Sequence, residues 1–206
     1  MRTLVIDTAT AACSVALFDG LTCVDARHEV VGRGHAERLL PMIAELPGQG
    51  RAPHILVDCG PGSFTGVRVG LAAALGLAIG WGADVAGFSS LALVAAMAQR
   101  GRGTRDGLVV VLEGGHGEVF AQSFGPAPLT AISQPMSVKP AEAFAMLNGK
   151  PAYGSGVRYL VALDDRVRAT ELLPDAREAM RMPEEFRQRP AKPVYGRAPD
   201  AKPAAT

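Results

Sequence analysis

Residues 59–70 read CGPGSFTGVRVG, and Gly60, Gly62 and Gly66 with Ser63 and Thr65 have the composition of a phosphate cradle. Three patterns that use such loops are excluded residue by residue. A Walker A loop needs a lysine after its last glycine, and here Val67 and Arg68 follow Gly66. A hydrolase elbow needs GxSxG, and Pro61 occupies the position two before Ser63. The GxGxxxG spacing from Gly60 to Gly66 imitates a dinucleotide fingerprint, with Asp84 about the right distance on. That acid should end the second strand to reach a ribose, yet Asp84 precedes its strand, and Phe64 is bulky for a surface approaching a pyrophosphate. Two readings remain open. In one the loop turns the chain and Ser63 or Thr65 caps the helix that follows. In the other, free N–H groups at that helix start also make an anion contact through Gly62, Ser63, Thr65 and Gly66.

No other set of side chains has the spacing of a catalytic or metal centre. His28, His35, His54 and His116 are scattered; His35 is followed two places later by Glu37, but an HExxH helix needs the acid adjacent and a second histidine where Leu39 stands. Asp7 ends the first strand, and the turn after it, TATAAC, has no glycine to let backbone approach a phosphate. Asp7 and Thr8 are expected to satisfy that turn. Glu113 and Glu118 flank the hairpin turn GGHG and read as solvated carboxylates. Cys13, Cys23 and Cys59 form no CxxC pair and suit a reducing compartment. The expected catalytic residues and metal ligands are therefore none.

The elements that would position these residues come in a repeated order. TLVIDTAT, CSVALFDG and LTCVDARHEV read as three adjacent strands, with Asp19-Gly20 as a hairpin turn. HAERLLPMIAEL places Ala36, Leu39, Leu40 and Ile43 on one helical stripe, interrupted by Pro41, which should kink it. HILVDC is a buried strand, followed by the glycine loop, a helix from about Val67 to Gly80, the strand DVAGFS, and a helix LALVAAMAQR capped by Ser89 or Ser90. After the polar linker RGRGTRDG the order starts again: a hairpin LVVVLEGGHGEVFAQSF, a third strand LTAIS, a helix KPAEAFAML and a last strand PAYGSG. The expected units are a first lobe over residues 1–100, a smaller second lobe over 108–182, and a loosely ordered Pro/Arg-rich tail over 183–206. From Arg181 onward, six Lys/Arg face three Asp/Glu.

The net charge of +1 and an aromatic content of 5% point away from a dedicated nucleic-acid surface. The opening segment lacks a continuous apolar run, and Val69–Ala83 is short and glycine-rich for a bilayer span. The expected location is cytoplasmic, with no membrane partner. The helix after the loop carries two rows of small residues at spacing four: Gly66, Gly70, Ala74, Ala78 and Gly82, and Ala72, Gly76 and Gly80. Small residues at that spacing let another element approach closely. That element is either the chain's own sheet or a different polypeptide.

Four motifs in order, IDTAT.ACSVAL, H.ERLLPMI, GPGSFTGVRVG and GFSSLALVA, resemble the TsaB (YeaZ) family over residues 1–95; the resemblance is loose over 108–160 and returns at PVYGR. The resemblance implies an α/β fold shared by actin, sugar kinases and heat-shock ATPases (ribonuclease H-like), in two related lobes with the second reduced. It implies a non-catalytic subunit that pairs with a TsaD-like catalytic paralogue and a TsaE-like ATPase to make threonylcarbamoyl adenosine beside a tRNA anticodon. It has no cofactor of its own, ATP/ADP and metal enter only through the partner subunits, tRNA is met only through the complex, and the free chain forms a homodimer or stays a monomer. The partner interface implied on the two helices comprises His35, Ala36, Leu39, Leu40, Ile43, Val67, Gly70, Leu71, Ala74 and Ala78. Two departures stand out: Asp58-Cys59 where relatives often have Gly-Arg, and EGGHGEVF without the usual arginine. The alternative functions are an ATP-dependent phosphotransferase or ATPase of the same fold, and a tRNA-binding module resting on the basic tail.

Overall fold

The computed structural model describes residues 1–100 and 105–194. Half of the expected linker, and the last twelve residues of the expected tail, lie outside the described residues.

The three opening strands form as expected: β1 (Arg2–Asp7), β2 (Ala12–Asp19) and β3 (Thr22–Val30), joined antiparallel. After α1 (His35–Ala44) comes β4 (His54–Asp58), parallel to β1, and after α2 (Phe64–Trp81) comes β5 (Asp84–Phe88), parallel to β4. The sheet order is β3-β2-β1-β4-β5. Helix α3 (Ser90–Ala98) then leads into the second half. There β6 (Leu108–Glu113) and β7 (Val119–Phe124) make the expected hairpin, β8 (Met136–Val138) pairs with β7, and α4 (Pro140–Leu147) follows. β9 (Ala152–Tyr153), α5 (Val157–Val161) and β10 (Ala169–Thr170) complete a second sheet, ordered β8-β7-β6-β9-β10. Both sheets thus place their first strand centrally, their second and third on one side and their fourth and fifth on the other. The repeat expected from element order is a repeat of topology.

Three apolar clusters make five layers. Alternation along β1 sends Leu4 and Ile6 to one face and Val5 to the other. Leu4 and Ile6 meet α1 and α2 on the outside; Val5 meets α3, which is buried along its length between the two sheets. On the far side, Val109 and Val111 pack beneath α4 and α5.

Pro41 lies inside α1, as the helical stripe implied. The structure corrects the sequence reading in three places. LTAIS contributes only a single bridge, Phe124 with Ala131, and the third strand is Met136–Val138. The 3₁₀ segment Ala176–Arg181 returns to the core between the lobes, with Ala176 and Ala179 fully buried beside α3. The expected loose tail begins as a strap: Arg189 exchanges both backbone hydrogen bonds with Gly87, and the Val194 N–H donates to the Cys59 carbonyl at 2.8 Å. Proline-rich composition hid a segment whose backbone completes an edge of the first sheet.

Candidate functional site

The glycine loop is built for close packing. Ser63 is the N-cap of α2, its hydroxyl accepting from the Gly66 N–H at 3.2 Å. A side chain on Gly62 would run into the Ala9 carbonyl, and one on Gly66 into the Thr8 carbonyl. The contacts that demand glycine therefore come from the β1–β2 turn of the same chain. Two hydrogen bonds fix this approach: the Ser63 N–H donates to the Ala9 carbonyl at 2.7 Å, and the Thr8 hydroxyl donates to the Gly66 carbonyl at 2.7 Å.

Helix α2 presents two different faces. The row Gly66, Gly70, Ala74 and Ala78, with Val67 and Leu71, is buried on the first sheet. A Cβ on Gly70 would sit 2.5 Å from the Thr8 hydroxyl. Gly70, Ala74, Ala78, Val67 and Leu71 therefore face their own sheet, which corrects their assignment to a partner surface. The same holds on α1, where Leu39 and Ile43 are core, and His35 is buried with Nε2 3.2 Å from the Ala12 carbonyl. Ala36 and Leu40 do reach the surface. What faces outward on α2 is the other row. Ala72, Gly76 and Gly80 are exposed, and a Cβ on Gly76 or Gly80 would meet nothing within 4 Å. Beside them stand Phe64 (68% exposed), Leu75 (46%) and Ile79 (87%), with Leu40 (52%) on the neighbouring helix. Arg68 lies over the Phe64 ring, 3.2 Å from its centroid. By length and mean hydropathy (1.5) α2 also meets the requirements for crossing a membrane, contrary to the sequence expectation. Its buried face is the outer cover of the first sheet.

A cleft of about 870 Å³ runs between the lobes. The first lobe contributes Ala9, Thr10, Arg33, Ser63 and Phe64; the second contributes Glu113, the Gly114–His116 turn, Phe120 and Ser155; Val194 of the strap also lines it. Thr65, by contrast, is exposed on the first turn of α2. The two hairpin carboxylates are partnered. Glu113 accepts from Arg158 at 2.6 Å and from the Tyr159 hydroxyl at 2.9 Å; Glu118 accepts from Ser137 at 2.8 Å and lies 3.7 Å from Lys139. Among the described residues no group of three His, Cys, Asp or Glu could hold a metal ion.

Beneath the cleft lies a pair that sequence reasoning missed. Asp7 ends β1 and Asp58 ends β4; the parallel register pairs Ile6 with Val57, so the two acids are neighbours at the strand ends. Each is 1% exposed. Asp7 Oδ1 accepts from the Ala9 N–H at 3.0 Å and Asp58 Oδ1 from the Gly60 N–H at 2.7 Å. Burial pushes the Asp58 carboxyl up to about 6, and burial with the Asp58 charge raises Asp7 well above the usual carboxylate range. Burial likewise pushes the Cys13 and Cys59 thiols up to about 11, which leaves them as inert core groups.

Comparison with known proteins agrees with this architecture. Residues 27–155 match the model of the TsaD family, described as tRNA N6-adenosine threonylcarbamoyltransferase. The tRNA threonylcarbamoyladenosine biosynthesis protein TsaB of Escherichia coli is 40% identical over 58% of this chain and 53% of its own length. The Haemophilus influenzae protein of the same name is 42% identical over 45% of this chain and 41% of its own length. The chain thus aligns with about half the length of these two relatives. An uncharacterised protein of Mycobacterium bovis is 30% identical over 98% of this chain and 94% of its own. Among solved structures, YeaZ from Pseudomonas aeruginosa superposes with a TM-score of 0.79 at 27% identity, covering 94% of this chain and 99% of that one.

Proposed function

The chain belongs to the TsaB (YeaZ) family, and from that premise we propose that it is a non-catalytic subunit in tRNA threonylcarbamoyladenosine biosynthesis, pairing with a TsaD-like catalytic paralogue and a TsaE-like ATPase. The observation that carries this reading is the outward face of α1 and α2. Leu40, Phe64, Leu75 and Ile79 are large apolar side chains in water, set beside the small residues Ala72, Gly76 and Gly80. Burying each large side chain fully would contribute about 1.5–3 kcal/mol, and the small row lets a partner helix come close. The face seats the paralogue in the complex, and a second copy of this chain when the chain is alone. The buried residues named from the resemblance support this face from behind.

The non-catalytic reading is supported by the state of the acids. Asp7 and Asp58 are closed off from the cleft, and Glu113 and Glu118 are engaged with neighbouring side chains. ATP, metal and tRNA are then met only through the partner subunits, and the loop at Gly62, Ser63, Thr65 and Gly66 contributes at most an anion contact there. Co-purification with a TsaD-like partner tests the proposal: wild-type chain should hold the partner through gel filtration, and failure to do so would overturn it.

The interlobe cleft favours one second reading, an ATP-dependent phosphotransferase, since the Gly114–His116 turn lies on its wall. Titrating the isolated protein with MgATP separates the two; tight binding with turnover would favour the second.

A further inference from the structure

Asp7 and Asp58 present a charge problem that the fold must solve. Each carboxylate uses Oδ1 to hold its own loop, while both Oδ2 atoms are buried and accept no hydrogen bond. Two unneutralised carboxylates cannot sit side by side out of water. Among the described residues no cation pairs with either carboxylate. Cys13 and Ser14 flank them on β2, Cys59 follows Asp58, and Ser89 and Ser90 stand at the start of α3, where Ser90 is a neutral donor that offsets part of the burial of Asp58. The remaining charge that acts on Asp7 is another acid, Asp175, paired with Arg177 at 2.8 Å.

We propose that Asp7 and Asp58 share a single proton between their Oδ2 atoms, and that this proton is a latch holding together the two first-lobe loops that floor the cleft. The latch reaches far because of what each acid holds. Asp7 fixes the β1–β2 turn through Ala9, and Asp58 fixes the glycine loop through Gly60. Those loops are tied to one another by the Ser63–Ala9 bond and to α2 by the Thr8–Gly66 bond; the Cys59 carbonyl in turn anchors the strap at Val194. Losing the proton sets two adjacent charges against each other at the root of all these contacts.

The sign follows from the direction of the shifts. An acid raised in the folded state makes the native protein bind more protons than the unfolded chain. Its contribution to stability is present below the ordinary carboxylate pKa and is lost as pH rises through the folded value. For Asp58 that window runs from 3.8 to about 6; Asp7 keeps its proton well beyond the usual carboxylate range. The pair therefore passes from two protons to one within the Asp58 window, and the latch itself opens only at the higher pH where Asp7 titrates.

Three measurements test this. Infrared spectra of the wild-type chain at pH 7 should show a protonated buried carboxylic acid, lost in Asp7→Asn; absence of that band in the wild type would overturn the proposal. The Asp58→Asn chain keeps an acceptor for Gly60 and gains a donor toward Asp7. Its folding equilibrium constant relative to wild type should rise by about 100-fold between pH 4 and pH 7, and a ratio independent of pH refutes the shared proton. Hydrogen exchange in peptides covering residues 8–12 and 58–66 should show stronger pH-driven loss of protection in wild type than in Asp58→Asn, compared at equal pH. Identical protection would leave no latch. Should either asparagine chain fail to fold, the wild-type infrared band still decides. A metal ion retained one per chain after EDTA dialysis would show that a cation rather than a proton neutralises the pair, and would also overturn it. All three readouts use the isolated chain, so a failure of partner binding does not bear on them.

Discussion

Gly70 and Gly76 lie on one helix, six residues apart, and the same substitution should move stability in opposite directions. Alanine in place of glycine in a helix interior gains about 1 kcal/mol. At Gly76 nothing lies within 4 Å of the new Cβ, so that gain is realised in full. At Gly70 the Cβ would stand 2.5 Å from the Thr8 hydroxyl, which donates to the Gly66 carbonyl at 2.7 Å. Moving that hydroxyl leaves a buried donor without its acceptor, at a cost of about 1–3 kcal/mol, and crowding against β1 adds about 1–3 kcal/mol. After the helical gain is subtracted, Gly70→Ala should lose roughly 1–5 kcal/mol. At about 2–4 °C per kcal/mol for a chain of this size, Gly76→Ala should melt a few degrees above wild type and Gly70→Ala clearly below it. Thermal melts of both isolated chains at one pH make the test. A Gly70→Ala chain as stable as wild type would refute the packing of this row on the sheet, and the row would return as a candidate partner surface.

Ile79→Asp should leave the melt of the isolated chain within about 0.5 kcal/mol, because the residue is 87% exposed. It should weaken association with a TsaD-like partner by at least about 30-fold, since apolar burial is lost and a carboxylate must be desolvated; unchanged affinity by calorimetry removes α2 from the interface. Ser63→Ala should cost about 1 kcal/mol by removing the α2 cap, read by urea unfolding, with partner binding retained; a binding loss at unchanged stability would show that the loop handles an anion. Ending the chain after Gln188 removes the Arg189–Gly87 pair and the Val194–Cys59 bond, so it should lower the melt; an unchanged melt would show that the strap is dispensable to the first sheet.

Much of the fold was legible because its boundaries are chemically marked. Asp19-Gly20 set the first hairpin, the GGHG turn set the second, and the order of elements around the linker announced the repeat. β10 was not legible: two residues, Ala169 and Thr170, carry no period. The acid pair was hidden for a different reason. Asp7 and Asp58 are 51 positions apart and meet only through the parallel register of β1 and β4, which no local pattern encodes. The faces of α2 were the hardest. Two rows of small residues at spacing four are equivalent in the sequence, and only the position of Thr8 beside Gly70 tells which one belongs to the sheet.

That distinction sharpens the functional argument. Gly66 and Gly70 are accounted for within the chain, because the β1–β2 turn comes too close for any side chain. Gly76 and Gly80 are not: each lies inside an 18-residue helix, a Cβ on either would meet nothing within 4 Å, and each costs about 1 kcal/mol relative to alanine. A helix that carries two such residues on the face that also shows Leu75 and Ile79 to water is less stable alone than its neighbours in sequence space, with no compensating contact among the described residues. Under the proposed docking, compensation from a second polypeptide would give these glycines the same purpose as Gly66 and Gly70, close approach of backbone, on the opposite side of the helix. The expected signature is that Gly76→Leu folds at least as well as wild type and yet fails to hold its partner in a pull-down. A Gly76→Leu chain that bound as tightly as wild type would leave the outward glycines without a reason and the docking face misplaced.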